Sequence, residues 1–255
     1  MQQLRLFFIA LQFFTRLPIP RWVGFEPAWL HHASRYFPAV GLVVAAITGG
    51  VYAVAALVLP PTVAALLSTA AGIYATGAFH EDGFADACDG LGGGQTRERS
   101  LEIMKDSRIG AYGAIGIGLM LAVKCSTLAA MPYFTVLGAL LAGHPLSRLM
   151  ACALIWRMDY ARAEGKAKPL AQEMRSGEFA IAALCAALPA AFGLFLGWLQ
   201  PYALATGLAA MMATTLWMAR KLQHRLGGYT GDCLGAVQQL AEAVFYLCVL
   251  AFVWN

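Results

Sequence analysis

Charged residues are scarce in this sequence. Asp, Glu, Lys and Arg make up 13% of the 255 residues, whereas a typical soluble domain has about 25%. Apolar residues reach 60%, and the mean hydropathy is +0.63. This composition excludes a secreted disulfide scaffold, a disordered chain and an ordinary cytosolic enzyme. The sequence therefore predicts an all-α, polytopic membrane protein.

Cysteine spacings typical of a metal site are also missing. The six cysteines include no Cys-x-x-Cys pair and no His–Cys cluster. Four of them lie in apolar runs, where a free cysteine usually packs as a small hydrophobe. Cys88 and Cys233 lie in polar segments without a ligand-like neighbour in the sequence. The cysteines therefore indicate packing and not metal binding.

Long apolar runs are abundant instead. A membrane-spanning helix needs about 20 mostly apolar residues. Seven runs come near that length, at residues 37–59, 62–79, 109–131, 133–156, 179–199, 202–219 and 234–254. Prolines at 60–61, 132 and 201 mark short turns between some of them. A shorter apolar stretch at 4–15, flanked by Arg5 and Arg16, predicts an N-terminal interfacial helix and not a signal peptide.

The positive charges are concentrated between the runs. Residues 1–36, 80–108, 157–178 and 220–233 hold 16 of the 18 Lys and Arg residues. With seven spans these segments all lie on one side, which the positive-inside rule makes cytoplasmic. The N-terminus is then inside and the C-terminus outside. Lys124 and Arg148 are the exceptions: a charge within an apolar run indicates function, unless it snorkels or pairs with an aspartate.

Three aspartates are spaced to share one helix face. Asp82, Asp86 and Asp89 stand at i, i+4 and i+7 directly after the second run. Like charges at this spacing repel, so a helix with this stripe favours a bound cation. Ligands that are all oxygen favour Mg²⁺ or Mn²⁺ over zinc. A solvated helix end is the alternative interpretation.

Glycines and basic residues surround the aspartate stripe. The glycines at 92–94 and within 227–232 allow backbone N–H groups to approach phosphate oxygens, although plain turns explain them equally well. Lys105 and Arg108 supply positive charge for a phosphate. His80 fits a structural or a catalytic role. The residues alone therefore predict a metal-dependent site at the cytoplasmic face, which transfers a phosphoryl group between two alcohols.

The segment that carries these residues reads HEDGFADACDGLGGG and then RERSLEIMKDSRIGAYGAIG. It closely resembles the signature of the cobalamin synthase, or adenosylcobinamide-GDP ribazoletransferase, family. The family pattern is close to H-x-D-G-x-A-D-x-x-D-G followed by L-x-I-M-K-D-S-R-x-G-x-Y-G. Residues 10–18, 37–41 and 226–236, together with Glu242, also resemble the family. The middle of the chain, at about 157–215, offers no motif to compare.

The resemblance implies a transferase that completes the nucleotide loop of coenzyme B12. Such an enzyme joins adenosylcobinamide-GDP to α-ribazole, or to α-ribazole 5′-phosphate, and releases GMP. It needs Mg²⁺ and is located in the cytoplasmic (inner) membrane. On this interpretation residues 1–255 form one integral membrane transferase domain, without a nucleic-acid partner. A homo-oligomer is compatible with the sequence.

The residue pattern and the resemblance combine into one predicted site. Asp82, Asp86 and Asp89, with Asp106, hold Mg²⁺ on the diphosphate. Asp86 or Asp89 accepts the proton of the attacking ribose hydroxyl. The predicted substrate-binding residues are His80, Glu81, Lys105, Arg108, Gly228, Thr230 and Asp232.

Two other functions fit part of the pattern. A cation- or proton-coupled transporter also has charged residues near its spans, but it places its carboxylates near mid-span, often on repeated broken helices. Here the carboxylates are expected to cluster in one segment at one membrane face, and we find no internal repeat. A lipid-headgroup phosphotransferase would share the metal site and need a lipid-facing groove. The aspartate motif is also similar to that of the CDP-alcohol phosphotransferases, by analogy only.

Overall fold

The fold is all-helical throughout the part of the chain that the structure describes. The computed structural model describes residues 1–24, 26–161 and 174–254. Within them there is no β-sheet, and one backbone bridge joins Tyr160 to Tyr229. The predicted all-α class is therefore confirmed. Arg162, Lys166 and Lys168 of the third basic segment lie outside the described residues.

Eleven α-helices follow one another along these residues. They are α1 Gln2–Phe14, α2 Pro27–Ala33, α3 Phe37–Ala55, α4 Pro61–Thr76, α5 Phe79–Gly93, α6 Arg97–Ile103, α7 Ala111–Ala129, α8 Tyr133–Arg157, α9 Ser176–Phe195, α10 Pro201–Leu226 and α11 Gly231–Trp254. Six helical regions are long and apolar enough to cross a membrane. The bent pair α4 and α5 makes a seventh if it is counted as one span. The predicted polytopic bundle is confirmed.

The prolines lie where the sequence predicted turns. Pro61 and Pro201 are the first residues of α4 and α10, and Pro132 directly precedes α8. A proline fits the start of a helix because the first turn has no internal acceptor for the N–H that proline lacks. The three turns predicted from these prolines are confirmed.

The second predicted span, 62–79, corresponds to α4 and ends in a sharp bend. α4 has only 16 residues, and α5 leaves it at an angle of 90°. Gly77 and Ala78 make the bend in the left-handed region, with φ of 66° and 60°. That conformation costs a residue other than glycine about 1–2 kcal/mol. The bend turns α5 across one end of the bundle, against α7 and α11.

The outside of the long helices is apolar. Ile115 and Leu119 of α7, Leu188 of α9 and Leu216 of α10 are all more than half exposed. Large apolar side chains at such positions suit lipid and not water. A multi-pass arrangement in a bilayer explains this surface.

The predicted N-terminal helix is present as α1. Ile9, Ala10 and Phe14 are buried, and the Phe14 ring meets that of Phe37 edge-on with 4.5 Å between centroids. One side of α1 therefore packs on α3. Its location in the membrane interface stays a prediction.

Candidate functional site

The three aspartates of the stripe share α5 but differ in environment. Asp82 is exposed, Asp86 is half-buried and Asp89 is buried. Among residues 1–24, 26–161 and 174–254, no three His, Cys, Asp or Glu side chains come together in a group that could hold a metal ion. A metal site with three or more of these aspartates stays a prediction.

Asp89 caps the start of α7. Its carboxylate oxygens accept the backbone N–H groups of Gly110 at 2.7 Å and of Gly113 at 2.8 Å. A Cβ on either glycine would collide with the carboxylate. The first N–H groups of a helix have no internal acceptor, and a negative charge is favourable there. Asp89 thus has a structural role that the sequence did not reveal.

Asp106 and Arg108 line an open groove beside Asp89. The groove has a volume of about 540 Å³, and Arg99 and Glu102 also border it. Asp106 accepts hydrogen bonds from the backbone N–H of Arg108 at 3.1 Å and from its guanidinium at 2.7 and 3.0 Å. These bonds lower the pKa of Asp106 to about 2. Lys105, the preceding residue, is exposed.

The turn before α11 is organised by Thr230. This buried hydroxyl accepts the backbone N–H of Cys233 at 3.3 Å and lies 3.2 Å from the Asp232 carboxylate. It is therefore the N-cap of α11. Gly228 lies so close to the backbone of Asp159 that a Cβ would collide with it. Local structure explains Gly228 and Thr230, and their substrate contacts stay predictions.

Neither glycine stretch forms an open loop. Gly92 and Gly93 belong to the last turn of α5, and Gly94 directly follows it. Gly227 ends α10 in the left-handed conformation, with φ of 70°. The plain-turn interpretation accounts for both stretches.

The aspartate helix touches this turn closely. Gly83 packs against Asp232, and a Cβ on Gly83 would lie only 3.1 Å from the Asp232 Cα. A side chain at this position would push the two backbones apart by a few tenths of an ångström, so glycine favours the close approach. The contact places Asp232 beside the turn of α5 that carries Asp82 and Asp86.

A buried ionic cluster occupies the interior of the bundle. Its centre is Glu242 of α11, which is 1% exposed. The carboxylate lies 2.6 Å from Lys124 Nζ of α7 and 3.0 Å from His144 Nδ1 of α8. Gln238 Nε2 and Ser147 Oγ donate to it at 2.7 and 3.2 Å. Burial without partners would cost this carboxylate several kcal/mol, which explains why so many groups surround it.

The ionic cluster continues to the first turn of α5. Lys124 Nζ donates to Gln239 Oε1 at 2.9 Å, and Gln239 Nε2 donates to Glu81 Oε1 at 2.9 Å. Glu81 directly precedes Asp82 in the chain. Glu81, a predicted substrate-binding residue, therefore bonds to the ionic cluster, whereas the next residue, Asp82, is exposed.

Two cavities meet at His80 and Arg148. A narrow polar cavity of about 30 Å³ borders the ionic cluster, and a narrow apolar cavity of about 50 Å³ lies on the other side. Four phenylalanines line the apolar cavity: Phe13, Phe14, Phe37 and Phe79. The His80 ring stacks on Phe14 with centroids 5.3 Å apart. Arg148 is 3% exposed and donates to the His144 carbonyl at 2.9 Å.

For Lys124 and Arg148, the two charged residues within apolar runs, the sequence offered snorkelling or pairing with an aspartate as alternatives to a functional role. For Lys124 neither alternative applies. Lys124 pairs with Glu242 and not with an aspartate, and its burial excludes snorkelling. The expectation that carboxylates cluster at one membrane face is corrected too, because Glu242 lies in the middle of α11. The sequence contains one signal for the buried ionic cluster. It is the presence of three polar residues in an otherwise apolar run: Gln238, Gln239 and Glu242.

Known proteins resemble this chain over almost its full length. Residues 6–250 match the sequence model of the family described as Cobalamin-5-phosphate synthase. A relative from Leptothrix cholodnii is 47% identical over 98% of this chain and 96% of its own, and one from Shewanella frigidimarina is 44% identical over the same shares. A third, from Ralstonia nicotianae, is 44% identical over 97% and 95%. All three carry the name adenosylcobinamide-GDP ribazoletransferase. No solved structure matches the chain.

Proposed function

The chain belongs to the cobalamin-5-phosphate synthase family and is an enzyme, and on this premise we propose its reaction in detail. It transfers adenosylcobinamide phosphate from adenosylcobinamide-GDP to α-ribazole, or to α-ribazole 5′-phosphate, and releases GMP. One observation carries the proposal beyond the family. The 90° bend before α5 places Glu81 on the wall of the polar cavity and Asp89 on the wall of the groove that Asp106 and Arg108 line. Asp82 and Asp86 lie between these two residues on the same helix.

The chemistry is the transfer of a phosphoryl group from a diphosphate to an alcohol. A ribose hydroxyl of the acceptor attacks the phosphorus that is attached to cobinamide. The new O–P bond forms while the bond from this phosphorus to GMP breaks. We assign the proton of the hydroxyl to Asp86, because both oxygens of Asp89 already hold the start of α7.

The residues on α5 fit Mg²⁺ held mainly by its substrate. Protein Mg²⁺ sites commonly use one or two carboxylates, with substrate phosphate and water as the remaining ligands. Asp82 and Asp86 supply two carboxylates on successive turns of one helix, at its more accessible face. They would hold the ion, and Mg²⁺ bound there would neutralise the diphosphate.

The groove offers guanidinium groups for the diphosphate of the donor. Arg99 and Arg108 line it and pair with Glu102 and Asp106, and Lys105, which directly precedes Asp106, is exposed. Guanidinium groups bind phosphate oxygens through paired hydrogen bonds. The basic residues of 80–108 and 220–233 support a location of this site at the cytoplasmic face of the cytoplasmic membrane.

The test is an assay of the detergent-purified protein with adenosylcobinamide-GDP, α-ribazole or its 5′-phosphate, and Mg²⁺. GMP and the corrinoid product are measured together, with and without a chelator. We expect Mg²⁺-dependent formation of both. Glu98→Gln, which removes an exposed acid near the groove, is the matched control for acidic substitutions on α5. Folded protein that gives no GMP would contradict the proposed reaction.

A further inference from the structure

The groove beside Asp89 has room for a nucleotide but not for a corrinoid. Its volume is about 540 Å³, which lies within the range of pockets that hold small ligands. A corrin macrocycle with its adenosyl group and its amide side chains is much larger than a nucleotide. Of the proposed donor, only the guanosine diphosphate part can therefore lie within the groove.

Two walls of the groove come from different helices. Asp89 is on α5, three residues after Asp86, and Glu102 is on α6. The diphosphate of the donor has to reach the aspartates of α5, where the proposed reaction takes place. The base of the nucleotide then lies on the α6 side of the groove.

Tyr112 provides an aromatic ring on the groove wall. The residue is 58% exposed, and a Cβ on Gly92 would lie only 2.7 Å from its ring, so the ring rests against α5. Ile109 lines the same groove and is 60% exposed. Nucleic-acid bases stack on aromatic side chains of this kind. The ring and the isoleucine together suit a planar base.

Glu102 is the carboxylate of the groove that can most easily change its partner. Within the described residues it accepts one hydrogen bond, from Arg99 at 2.7 Å, and both side chains are more than half exposed. An exposed ion pair contributes little to stability, so this one opens at low cost. Asp89, in contrast, holds two backbone N–H groups of α7, and Asp106 holds the Arg108 guanidinium.

Guanine is the base that matches a carboxylate. Its N1–H and its exocyclic amino group point in the same direction, and the two oxygens of a carboxylate can accept both hydrogen bonds. Adenine presents an unprotonated N1 at this edge, which a carboxylate repels. When Glu102 binds guanine, Arg99 loses its partner and becomes available for phosphate oxygens.

We propose that Glu102 recognises the guanine base of the donor and that Tyr112 stacks on this base. The assignment rests on the proposed function, in which the donor is a derivative of GDP. Arg99 and Arg108 then face the diphosphate, between the base and the aspartates of α5. Glu102 determines specificity and does not touch the phosphorus that reacts.

Nucleotide binding is measured without donor or acceptor, by equilibrium dialysis of the detergent-purified full chain with GDP, ADP or xanthosine diphosphate in the presence of Mg²⁺. The wild type should bind GDP at least about tenfold more tightly than ADP. Glu102→Gln replaces one accepting oxygen by an amide N–H₂ group. This group opposes the amino group of guanine but donates to the carbonyl that xanthine has at the same position. We expect the Kd for GDP to rise at least about tenfold and the Kd for xanthosine diphosphate to fall.

Matched variants separate recognition of the base from general damage. Glu98→Gln removes an exposed acid of the same helix that does not line the groove, and it should bind all three nucleotides as the wild type does. Tyr112→Leu should weaken GDP and ADP by similar factors, because stacking does not depend on which base is present. Tyr112→Phe keeps the ring and should bind as the wild type does.

The outcomes separate this site from the proposed reaction. If the wild type forms GMP from adenosylcobinamide-GDP while Glu102→Gln keeps the wild-type order of affinities, the guanine site is wrong and the reaction stands. If Glu102→Gln gains affinity for xanthosine diphosphate but the wild type forms no GMP, the guanine site stands and the reaction is wrong. A wild type that binds GDP no more tightly than ADP overturns the guanine site. Tighter binding of xanthosine diphosphate also shows that the variant is folded.

Discussion

The acidic residues at the end of the bundle and those in its interior have different surroundings. On α5, Asp82 is exposed and Asp86 half-buried. On α11, Glu242 is enclosed by a lysine, a histidine, a glutamine and a serine. An accessible carboxylate can exchange ligands during a reaction, whereas an enclosed one fixes the helices around it. The two groups should therefore respond differently to the same substitution.

The largest effect is expected on catalysis, at Asp86. Asp86→Asn removes the proposed proton acceptor, and such groups contribute about 10²–10⁴-fold to a rate. We expect kcat to fall by that factor, while the midpoint of thermal unfolding in detergent stays close to that of the wild type. Asp86→Asn with normal kcat would exclude this residue as the base.

The largest effect on stability is expected at Glu242. Glu242→Ala leaves Lys124 buried without its partner, and breaking a buried pair costs about 3–5 kcal/mol. Thermal unfolding in detergent should show this loss. The double variant Lys124→Met with Glu242→Leu should recover most of the stability, since apolar replacements of a buried pair are often neutral. A single variant as stable as the wild type would show that the ion pair does not hold the bundle together.

A smaller loss of stability is expected at Asp89. Asp89→Ala removes the cap of α7, and the loss of a cap costs about 0.5–2 kcal/mol. Asp82→Ala, on the same helix face but exposed, should change stability by less than about 0.5 kcal/mol. Unfolding midpoints of the two variants measure the difference. Equal effects would contradict the structural role of Asp89.

The smallest effect is expected in the pH dependence of Asp106. Its pKa is lowered to about 2 by the hydrogen bonds from Arg108. Because the pKa of Asp106 is lowered, its carboxylate is ionised and paired with Arg108 at every pH above the ordinary aspartate pKa. The pairing is lost only as the pH falls through about 2. Asp106 therefore does not titrate between pH 5 and 8. Asp106→Asn should leave the acid limb of the pH–rate profile where it is, and a shifted limb would contradict the pairing.

The fold could be predicted from the sequence better than the site could. Length of apolar runs and the prolines at their ends are local properties, and they place most helices correctly. The 90° bend at Gly77 and Ala78 is not visible in this way, because hydropathy shows that the apolar run ends at residue 79 but not the direction in which the next helix leaves it. The pairing of Lys124 with Glu242 joins residues far apart in the chain, and hydropathy does not show which buried charges meet. Asp89 has the same spacing as its neighbours on the stripe, and only its contact with α7 separates it from them.

The shortness of α4 has a consequence for the lipid. A helix of 16 residues is about 24 Å long at 1.5 Å per residue, whereas the hydrocarbon core of a bilayer is about 30 Å thick. Local thinning of the bilayer is one of the ways in which hydrophobic mismatch of this kind is relieved. Beside α4, headgroups and water would then reach several ångströms deeper than elsewhere. Substrates that are not lipids could reach the aspartates of α5 through this thinned region without leaving the aqueous phase.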